Sequence, residues 1–290
     1  MKEERSNGTK KGLNIHARRG LAYIVLAVIS VLCLFWFFLL FINTTRSHSE
    51  LNRGFSVVPG KYLLTNIQNL IRMGERLPIL TGLLNSFIVA GLSAVFSTYF
   101  SVMTAYAIHA YEFKLKKFMF TFILMIMMIP TQVTALGFLQ LVSRMRLEDS
   151  FIPLIVPTIA APVTFFYMKQ YMESSLPLSL IEAARIDGSG EFRTFNSIVM
   201  PLMKPAIAVQ AIFTFVSSWN NYFTPALILH EPKKRTVPIL IAQLRSMDWS
   251  SLDTGVVYAM IGLSIFPVII VYLILSKHIV QGVAMGSVKG

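Results

Sequence analysis

Six long apolar runs divide this sequence, and each is near or above the length that a helix needs to cross a bilayer. They cover residues 21–42, 83–108, 118–142, 151–172, 205–229 and 256–276, with the last helix extending to about residue 280. A helix rises about 1.5 Å per residue, so roughly 20 residues cross a hydrocarbon core about 30 Å thick. Hydrophobic residues make up 54% of the 290 residues and charged residues only 14%, which is too apolar for a soluble domain of this size. The pattern predicts an all-α membrane protein with six transmembrane helices.

The fourth run is the least regular of the six. Pro153, Pro157 and Pro162 interrupt its helical pattern, and Lys169 lies near its end. We still count the run as a span. The predicted organisation is therefore a basic segment, residues 1–20, followed by a single transmembrane domain, residues 21–290.

The orientation of the chain follows from lysine and arginine residues near the ends of the spans. The first 20 residues carry Lys2, Arg5, Lys10, Lys11, Arg18 and Arg19. Positive charge of this kind stays on the cytoplasmic side, so we expect a cytoplasmic N-terminus and, after six spans, a cytoplasmic C-terminus. The first run has no small-residue cleavage site after it, so we expect it to remain in the mature protein as a span. The net charge of +12 fits a basic fringe facing anionic lipid and needs no nucleic acid to explain it.

Several function classes are excluded by what the spans lack. Five of the six runs contain no Asp, Glu, Lys, Arg or His, whereas ion-coupled carriers usually place such groups at membrane depth. The single cysteine, Cys33, permits neither an internal disulfide nor a thiolate cluster, and we expect it to serve packing. The five histidines are scattered without ligand spacing, so we predict no metal site. No phosphate-binding loop is present, and we therefore predict no catalytic residues and no cofactor in this chain.

One stretch between the fourth and fifth runs resembles soluble protein, LIEAARIDGSGEF at residues 180–192. Ser179 stands three residues before Glu182, the spacing of a capping box, which predicts the start of a short helix. Gly188 predicts its end, and EFRTFNSI predicts a second helix-like piece directly afterwards. An amphipathic helix lying on the membrane surface is the simpler interpretation of an isolated short helix. The glycine corner between two helices instead favours a projection into the cytoplasm.

The spacing of this stretch resembles the EAA loop of ABC importer permeases, whose pattern is EAA-x3-G-x9-I-x-LP. Glu182, Ala183 and Ala184 are followed at the family spacing by Gly188, Ile198 and Pro201, and the only departure is Met200 in place of leucine. The segments MPLMKPAIA, FTFVSSWNNYFTPALIL and the C-terminal GSVKG are similar to the sugar-importer branch, in particular to the smaller permease of maltose-type systems. The resemblance implies the type I ABC importer permease fold and a location in the bacterial cytoplasmic membrane.

Function and partners are implied by the same resemblance. The resemblance implies that such a permease forms half of a translocation path for a carbohydrate, specifically an oligosaccharide, and pairs with a second homologous permease as a heterodimer. Two cytoplasmic ATPase subunits bind ATP and Mg²⁺, and an extracytoplasmic solute-binding protein delivers the substrate. The resemblance implies an ATPase-docking role for the loop residues Glu182, Ala183, Ala184, Arg185, Asp187, Gly188, Ile198 and Pro201. Glu182 and Arg185 would make polar contacts there, and the two alanines would let the partner approach closely.

Two further regions are candidates for contact with substrate or with the binding protein. The segment SSWNNYF combines hydroxyls, amides and aromatic rings that suit a sugar. The candidate residues of the translocation path are therefore Ser218, Trp219, Asn220, Asn221 and Tyr222. An interfacial aromatic belt is the alternative interpretation. The loop at residues 230–254 is long enough for a protrusion with an apolar centre, and the resemblance implies that it contacts the binding protein through Pro238, Ile239, Leu240 and Ile241.

Two alternatives remain open from the sequence. The first is an importer permease for another solute, such as a polyamine, phosphate or a peptide. The second is a secondary carrier that works without an ATPase.

Overall fold

The computed structural model describes residues 3–75, 77–247 and 253–286, and within these ranges it contains helices and no strand. Short 3₁₀ turns cover Met73–Glu75, Val156–Ile159 and Pro232–Lys234, and one π-helical turn covers Phe195–Val199. The α-helices, numbered in chain order, are α1 (Glu3–Thr44), α2 (His48–Asn52), α3 (Leu63–Arg72), α4 (Ile79–Ala110), α5 (Lys116–Ile126), α6 (Thr131–Arg144), α7 (Ile152–Ile155), α8 (Pro162–Ser175), α9 (Leu178–Ile186), α10 (Glu191–Thr194), α11 (Met200–Leu202), α12 (Lys204–Trp219), α13 (Phe223–Ile228), α14 (Val237–Arg245) and α15 (Thr254–Gly286). The predicted all-α class is confirmed.

Four helical segments in the described chain are long and apolar enough to cross a membrane. They are Ala17–Thr44, Ile79–Ala110, Ile152–Ser175 and Thr254–Ile279, and they correspond to the first, second, fourth and sixth predicted spans. A fifth candidate is a bent pair, Glu191–Leu202 with Lys204–Trp219, whose two limbs meet at 79°. Met203 lies at the bend between the two limbs. In the C-terminal segment GSVKG, which supported the family resemblance, residues 287–290 lie outside the described residues.

The third predicted span, residues 118–142, is wrong as a continuous helix. It is divided into α5 and α6, with 11 and 14 residues, and neither half meets the length of a span. The break lies at Pro130, which is the N-cap of α6 with extended backbone angles. A proline has no backbone N–H and disfavours helical angles in the residue before it, so the helix ends there. The fifth run, 205–229, is likewise divided into α12 and α13 by a turn at residues 220–222.

Two compact units account for the described chain. The first contains residues up to Leu70 together with Asp253–Gly262. Here the buried Asn66 side chain donates hydrogen bonds of 2.9 Å to the carbonyl oxygens of Thr44 and Arg46. Gly255 lies so close to Asn66 that a Cβ would stand 2.7 Å from its Oδ1. Residues 21–38 of α1, including Cys33, are all exposed, so Cys33 does not belong to the core of the described chain.

The second unit contains Ile71–Leu252 and the chain from Leu263 onward, and α4 is its central helix. α12 and α8 pack along α4. The residues of α4 at intervals of four, Ser93, Ser97, Ser101 and Ala105, are all buried. Small side chains at this spacing let neighbouring helices approach closely. Phe87 of α4 makes an edge-to-face contact with Phe215 of α12 at 5.9 Å between ring centroids.

Candidate functional site

The first helix of the predicted docking loop, α9, begins without a capping box. Its N-cap is Pro177, with φ −62° and ψ 136°, and no side chain caps the helix. Ser179 therefore lies inside the first turn, and the predicted pairing of Ser179 with Glu182 is wrong. Proline explains the earlier start, because its fixed φ suits the residue at a helix start.

The end of α9 follows the prediction. Gly188 has φ +76°, its N–H donates to the Arg185 carbonyl at 3.0 Å, and the Ser189 N–H donates to the Ala184 carbonyl at 2.9 Å. These two bonds form a Schellman motif, in which a left-handed residue satisfies the last carbonyls of the helix. Glycine adopts this conformation without a Cβ penalty, so Gly188 fixes the corner between α9 and α10.

A cluster that sequence reasoning missed holds the two sides of this corner together. The Arg185 Nε donates to Glu191 Oε1 at 2.8 Å, and the Tyr106 hydroxyl donates to Glu191 Oε2 at 3.1 Å. The Tyr111 hydroxyl donates to the same Oε2, and the Arg185 guanidinium lies over the Tyr111 ring at 5.1 Å. We call these four residues the Glu191 cluster. It joins the docking loop to the C-terminal end of α4 and the residue that follows it.

The electrostatics of the Glu191 cluster favour its charged form. The hydrogen-bonded Arg185 guanidinium, with Tyr111 as a second donor, lowers the pKa of the Glu191 carboxyl below its ordinary value. Burial raises the pKa of the Tyr111 hydroxyl, so this group keeps its proton and remains a donor at neutral pH. Arg185, which was predicted to contact a partner, is therefore already engaged within the chain.

The residues of α9 divide between an inner and an outer face. Ile181 and Ala184 are buried within the chain, so of the two alanines only Ala183 is available to a partner. Glu182 and Asp187 are exposed. Large apolar side chains are exposed beside them, Ile186 at 86% and Phe192 at 75% of their surfaces. We call four of the exposed residues, Glu182, Ala183, Ile186 and Phe192, the docking surface.

The later residues of the predicted motif lie on the segment that leads to α12. Ile198 is half-buried in the π-helical turn, and Pro201 is exposed in α11. The turn is anchored by Phe195 and Val199, both buried. The other end of the loop is anchored by His109 of α4, whose Nε2 lies 2.9 Å from the Leu176 carbonyl oxygen directly before α9. Both ends of the docking loop are thus attached to the helices of the second unit.

Comparison with known proteins identifies the family of this chain. Residues 97–285 match the family described as the binding-protein-dependent transport system inner membrane component. The chain belongs to this permease family. It is therefore a multi-pass membrane protein and an ABC importer permease subunit.

Curated relatives and a solved structure agree with this assignment. The permease is 33% identical, over 91% of its length and 93% of the relative, to an arabinooligosaccharides transport system permease protein of Bacillus subtilis (strain 168). It is 30% identical, over 92% and 98%, to an sn-glycerol-3-phosphate transport system permease protein of Yersinia pestis bv. Antiqua (strain Antiqua). Its fold is similar, with a TM-score of 0.76, 22% identity and coverage of 89% and 94%, to the crystal structure of a bacterial ABC transporter involved in the import of the acidic polysaccharide alginate.

The candidate path residues of the permease do not lie around one cavity. Ser218 and Asn221 line a cavity of about 380 Å³. Trp219 and Asn220 line a second one of about 270 Å³, and Tyr222 lines a third of about 340 Å³. Trp219 is also buried and stacked on Phe215 at 5.6 Å, so its ring belongs to the packing of α12. A turn that follows α12 separates residues whose sequence positions are adjacent.

The predicted apolar protrusion after α13 is wrong for two of its residues. Ile239 and Leu240 of α14 are buried in the permease itself, while Pro238 and Ile241 are half-buried. The Asn85 side chain of α4 explains this position, because its Nδ2 donates to the carbonyl oxygens of Lys233 and Arg235 at 2.8 and 3.0 Å. α14 therefore covers α4 instead of projecting from it.

Proposed function

We propose that this permease is one of two non-identical membrane subunits of an ATP-driven importer for a carbohydrate, specifically an oligosaccharide. It would form half of the translocation path. In this assembly two cytoplasmic ATPase subunits bind ATP and Mg²⁺, and an extracytoplasmic binding protein delivers the solute. A basic cytoplasmic segment, residues 1–20, precedes a single transmembrane domain, residues 21–290, in the bacterial plasma membrane.

The proposed topology has six spans with both termini in the cytoplasm. Five of these are candidate spans or the second limb of the bent pair. The remaining span, third in chain order, is formed by α5 and α6 together. It is a broken span with irregular backbone at Pro130. Broken helices are tolerated at membrane depth where the irregular backbone is surrounded by protein or lines a cavity, which suits a transporter. In this topology the docking loop would face the cytoplasm.

The observation that carries the proposal is the docking surface on a preformed corner. Four exposed residues project from two short helices whose angle is fixed by Gly188 and by the Arg185–Glu191 ion pair. An exposed apolar pair flanked by charge is typical of a protein contact. ATPase docking through Glu182, Ala183, Ile186 and Phe192 would move the corner, and the Glu191 cluster would transmit that movement to α4. Ile198 and Pro201 would act through the segment that leads to α12.

The substrate class is supported by the relatives. The relative at 33% identity is named for arabinooligosaccharides, which supports an oligosaccharide as the solute of this permease. A relative at 30% identity is named for sn-glycerol-3-phosphate, so a small phosphorylated polyol is the second candidate. Contact of the loop after α13 with the binding protein remains part of the proposal. It would use Pro238 and Ile241 with exposed residues of the loop, since Ile239 and Leu240 are covered.

Co-purification from the native host tests the assembly. A tagged copy of this chain should recover one kind of ATPase subunit and a second permease of the same family. Each complex should contain two ATPase subunits and one copy of each permease. The purified complex, with its binding protein in proteoliposomes, should take up labelled arabinotriose only when ATP is present on the cytoplasmic side. A complex with two copies of this chain and no second permease would exclude the heterodimer. Uptake without ATP would exclude an ATP-driven importer.

A further inference from the structure

The cavity that contains Ser218 and Asn221 has a composition that narrows the substrate class. It lies entirely within the second unit and has a volume of about 380 Å³, within the range of roughly 300–1,000 Å³ common for small-molecule sites. Its lining combines hydroxyl and amide side chains with apolar ones, and the described residues that line it include no Asp, Glu, Lys, Arg or His. The polar members are Ser86, Thr134, Thr158, Ser218, Asn221, Thr224 and Thr236.

Thr236 provides the strongest indication that a ligand belongs in this cavity. It is the N-cap of α14, a position where a threonine hydroxyl normally accepts a hydrogen bond from the first helical turn, but its side chain makes no cap bond. Thr236 is only 3% exposed, and its Oγ1 has no hydrogen-bond partner in the described chain. A buried polar atom without a partner is unusual and requires an explanation. Thr236 is also a lining residue of the cavity, so a ligand hydroxyl that reached Oγ1 would supply the missing partner.

The neighbouring polar groups can complete such an interaction. The Ser86 Oγ accepts a hydrogen bond of 2.8 Å from the Val237 N–H, which leaves the hydroxyl proton of Ser86 available for donation. The Asn221 Oδ1 accepts one of 3.3 Å from the Thr224 N–H, which leaves the Nδ2 donors of Asn221 available. The cavity thus presents hydroxyls that donate or accept and an amide that donates. Sugar hydroxyls require both kinds of partner.

The apolar side of the cavity suits the C–H faces of a sugar ring. Phe138, Pro153, Leu154 and Phe223 are among its lining residues. Aromatic and aliphatic surface opposite a few polar groups is the usual composition of small-molecule sites. A phosphate or carboxylate group would find no cation in this lining, and burial of an unpaired charge is costly.

We propose that this cavity is a subsite for one ring of a neutral sugar, bound through Thr236, Ser86 and Asn221. The inference rests on the proposed function and narrows it, because it excludes phosphorylated and uronic-acid solutes as ligands of this cavity. It also assigns substrate contacts to this permease and not only to its partner.

Uptake kinetics of Thr236→Val test the subsite, because valine keeps the shape of threonine and removes the hydroxyl. Ser93→Ala is the matched control: the Ser93 Oγ is also buried without a partner, but Ser93 lies outside the cavity lining. The complete complex with its binding protein is reconstituted in proteoliposomes and tested with arabinotriose, maltotriose, sn-glycerol-3-phosphate and a guluronate trisaccharide. We expect Thr236→Val to raise the KM for a neutral trisaccharide about 3- to 10-fold, as for loss of one hydrogen bond, and Ser93→Ala to leave it unchanged.

The outcomes separate the subsite from the proposed function. Uptake of a neutral trisaccharide with the same KM in wild type and Thr236→Val would overturn the subsite and leave the importer assignment standing. An equal rise of KM in Ser93→Ala would also overturn it, because the effect would then be one of packing. Uptake restricted to sn-glycerol-3-phosphate, or no uptake of any of the four solutes, would overturn the proposed carbohydrate function and the subsite with it. Preference for the guluronate trisaccharide would leave a carbohydrate importer but overturn the neutral subsite.

Discussion

Asp149 Oδ1 accepts a hydrogen bond of 2.6 Å from the backbone N–H of His230. The same oxygen accepts a second one, of 2.7 Å, from the N–H of Glu231, and the Asp149 N–H donates to the Ile228 carbonyl at 2.9 Å. Asp149 has φ +55°, a left-handed conformation that Asp and Asn adopt more readily than other non-glycine residues. One side chain therefore fixes the loop after α6 to the C-terminal end of α13.

Replacement of Asp149 by alanine should separate these two segments. Asp149→Ala removes the acceptor of two backbone amides and places a poorly suited residue at positive φ, so we expect a loss of about 1–3 kcal/mol in stability. Asp149→Asn keeps a side-chain oxygen and a residue that tolerates this conformation, and we expect it to lose less than about 1 kcal/mol. Thermal unfolding of the purified complexes compares them. Equal Tm values for wild type and the alanine variant would contradict the prediction.

The corner of the docking loop offers two glycines for a matched comparison. Gly188 has positive φ, whereas Gly190 has φ −67°, and a Cβ at either position would meet nothing within 4 Å. Gly188→Val therefore differs from Gly190→Val mainly by backbone strain, about 1–2 kcal/mol. We expect Gly188→Val to reduce ATPase recovery in co-purification or to permit ATP hydrolysis without uptake, and Gly190→Val to behave like wild type.

Both glycine variants should insert normally, because neither changes the apolar surface of a span. Equal ATPase recovery and equal uptake by the two variants would show that the conformation of Gly188 does not matter for docking. In that case the loop would be an amphipathic surface helix, the simpler interpretation that its sequence also permits.

The docking loop shows which local features a sequence makes visible. The helix end at Gly188 was predictable, because a glycine after a short amphipathic segment has few other uses. Glu191 was not recognised, since its partners Tyr106 and Tyr111 precede it by 85 and 80 residues, and only the fold brings them together. The start of α9 was misplaced because Pro177 and Ser179 are both plausible starting residues, and local spacing does not decide between them.

The loop after α13 shows a different limit. Its apolar centre was predicted to contact a partner, but a contact with a partner and one within the chain require the same apolar residues. Asn85 decides between them by binding the Lys233 and Arg235 carbonyls, and no local pattern connects α4 with a loop about 150 residues later. Hydropathy likewise marks residues 118–142 as one apolar run, and Pro130 indicates an interruption there. It does not decide between a bend and a full break, since a proline also lies inside the continuous helix α15.

The Glu191 cluster should give the permease a defined acid sensitivity. A carboxyl group whose pKa is lower in the folded protein stabilises the fold above its ordinary pKa, and this contribution is lost as the pH falls from the ordinary to the lowered value. Glu191→Gln removes the titrating group. We therefore expect the Tm of wild type to exceed that of Glu191→Gln at neutral pH and the difference to narrow on acidification through this range. A difference that stays constant with pH would contradict the role of the ionised carboxylate.

The contact between Gly82 and Leu240 predicts opposite effects for two similar substitutions in α4. A Cβ on Gly82 would lie 2.3 Å from Leu240 Cδ1, and Leu240 is fully buried, so Gly82→Ala should displace α14 and cost about 1–3 kcal/mol. A Cβ on Gly91 would meet nothing within 4 Å, so Gly91→Ala should be neutral or slightly stabilising. Leu240→Ala removes the opposing atom, and the double variant with Gly82→Ala should be more stable than the sum of the two single losses predicts. A double-mutant cycle measured by thermal unfolding checks this, and strictly additive losses would show that the two residues do not compete for the same space.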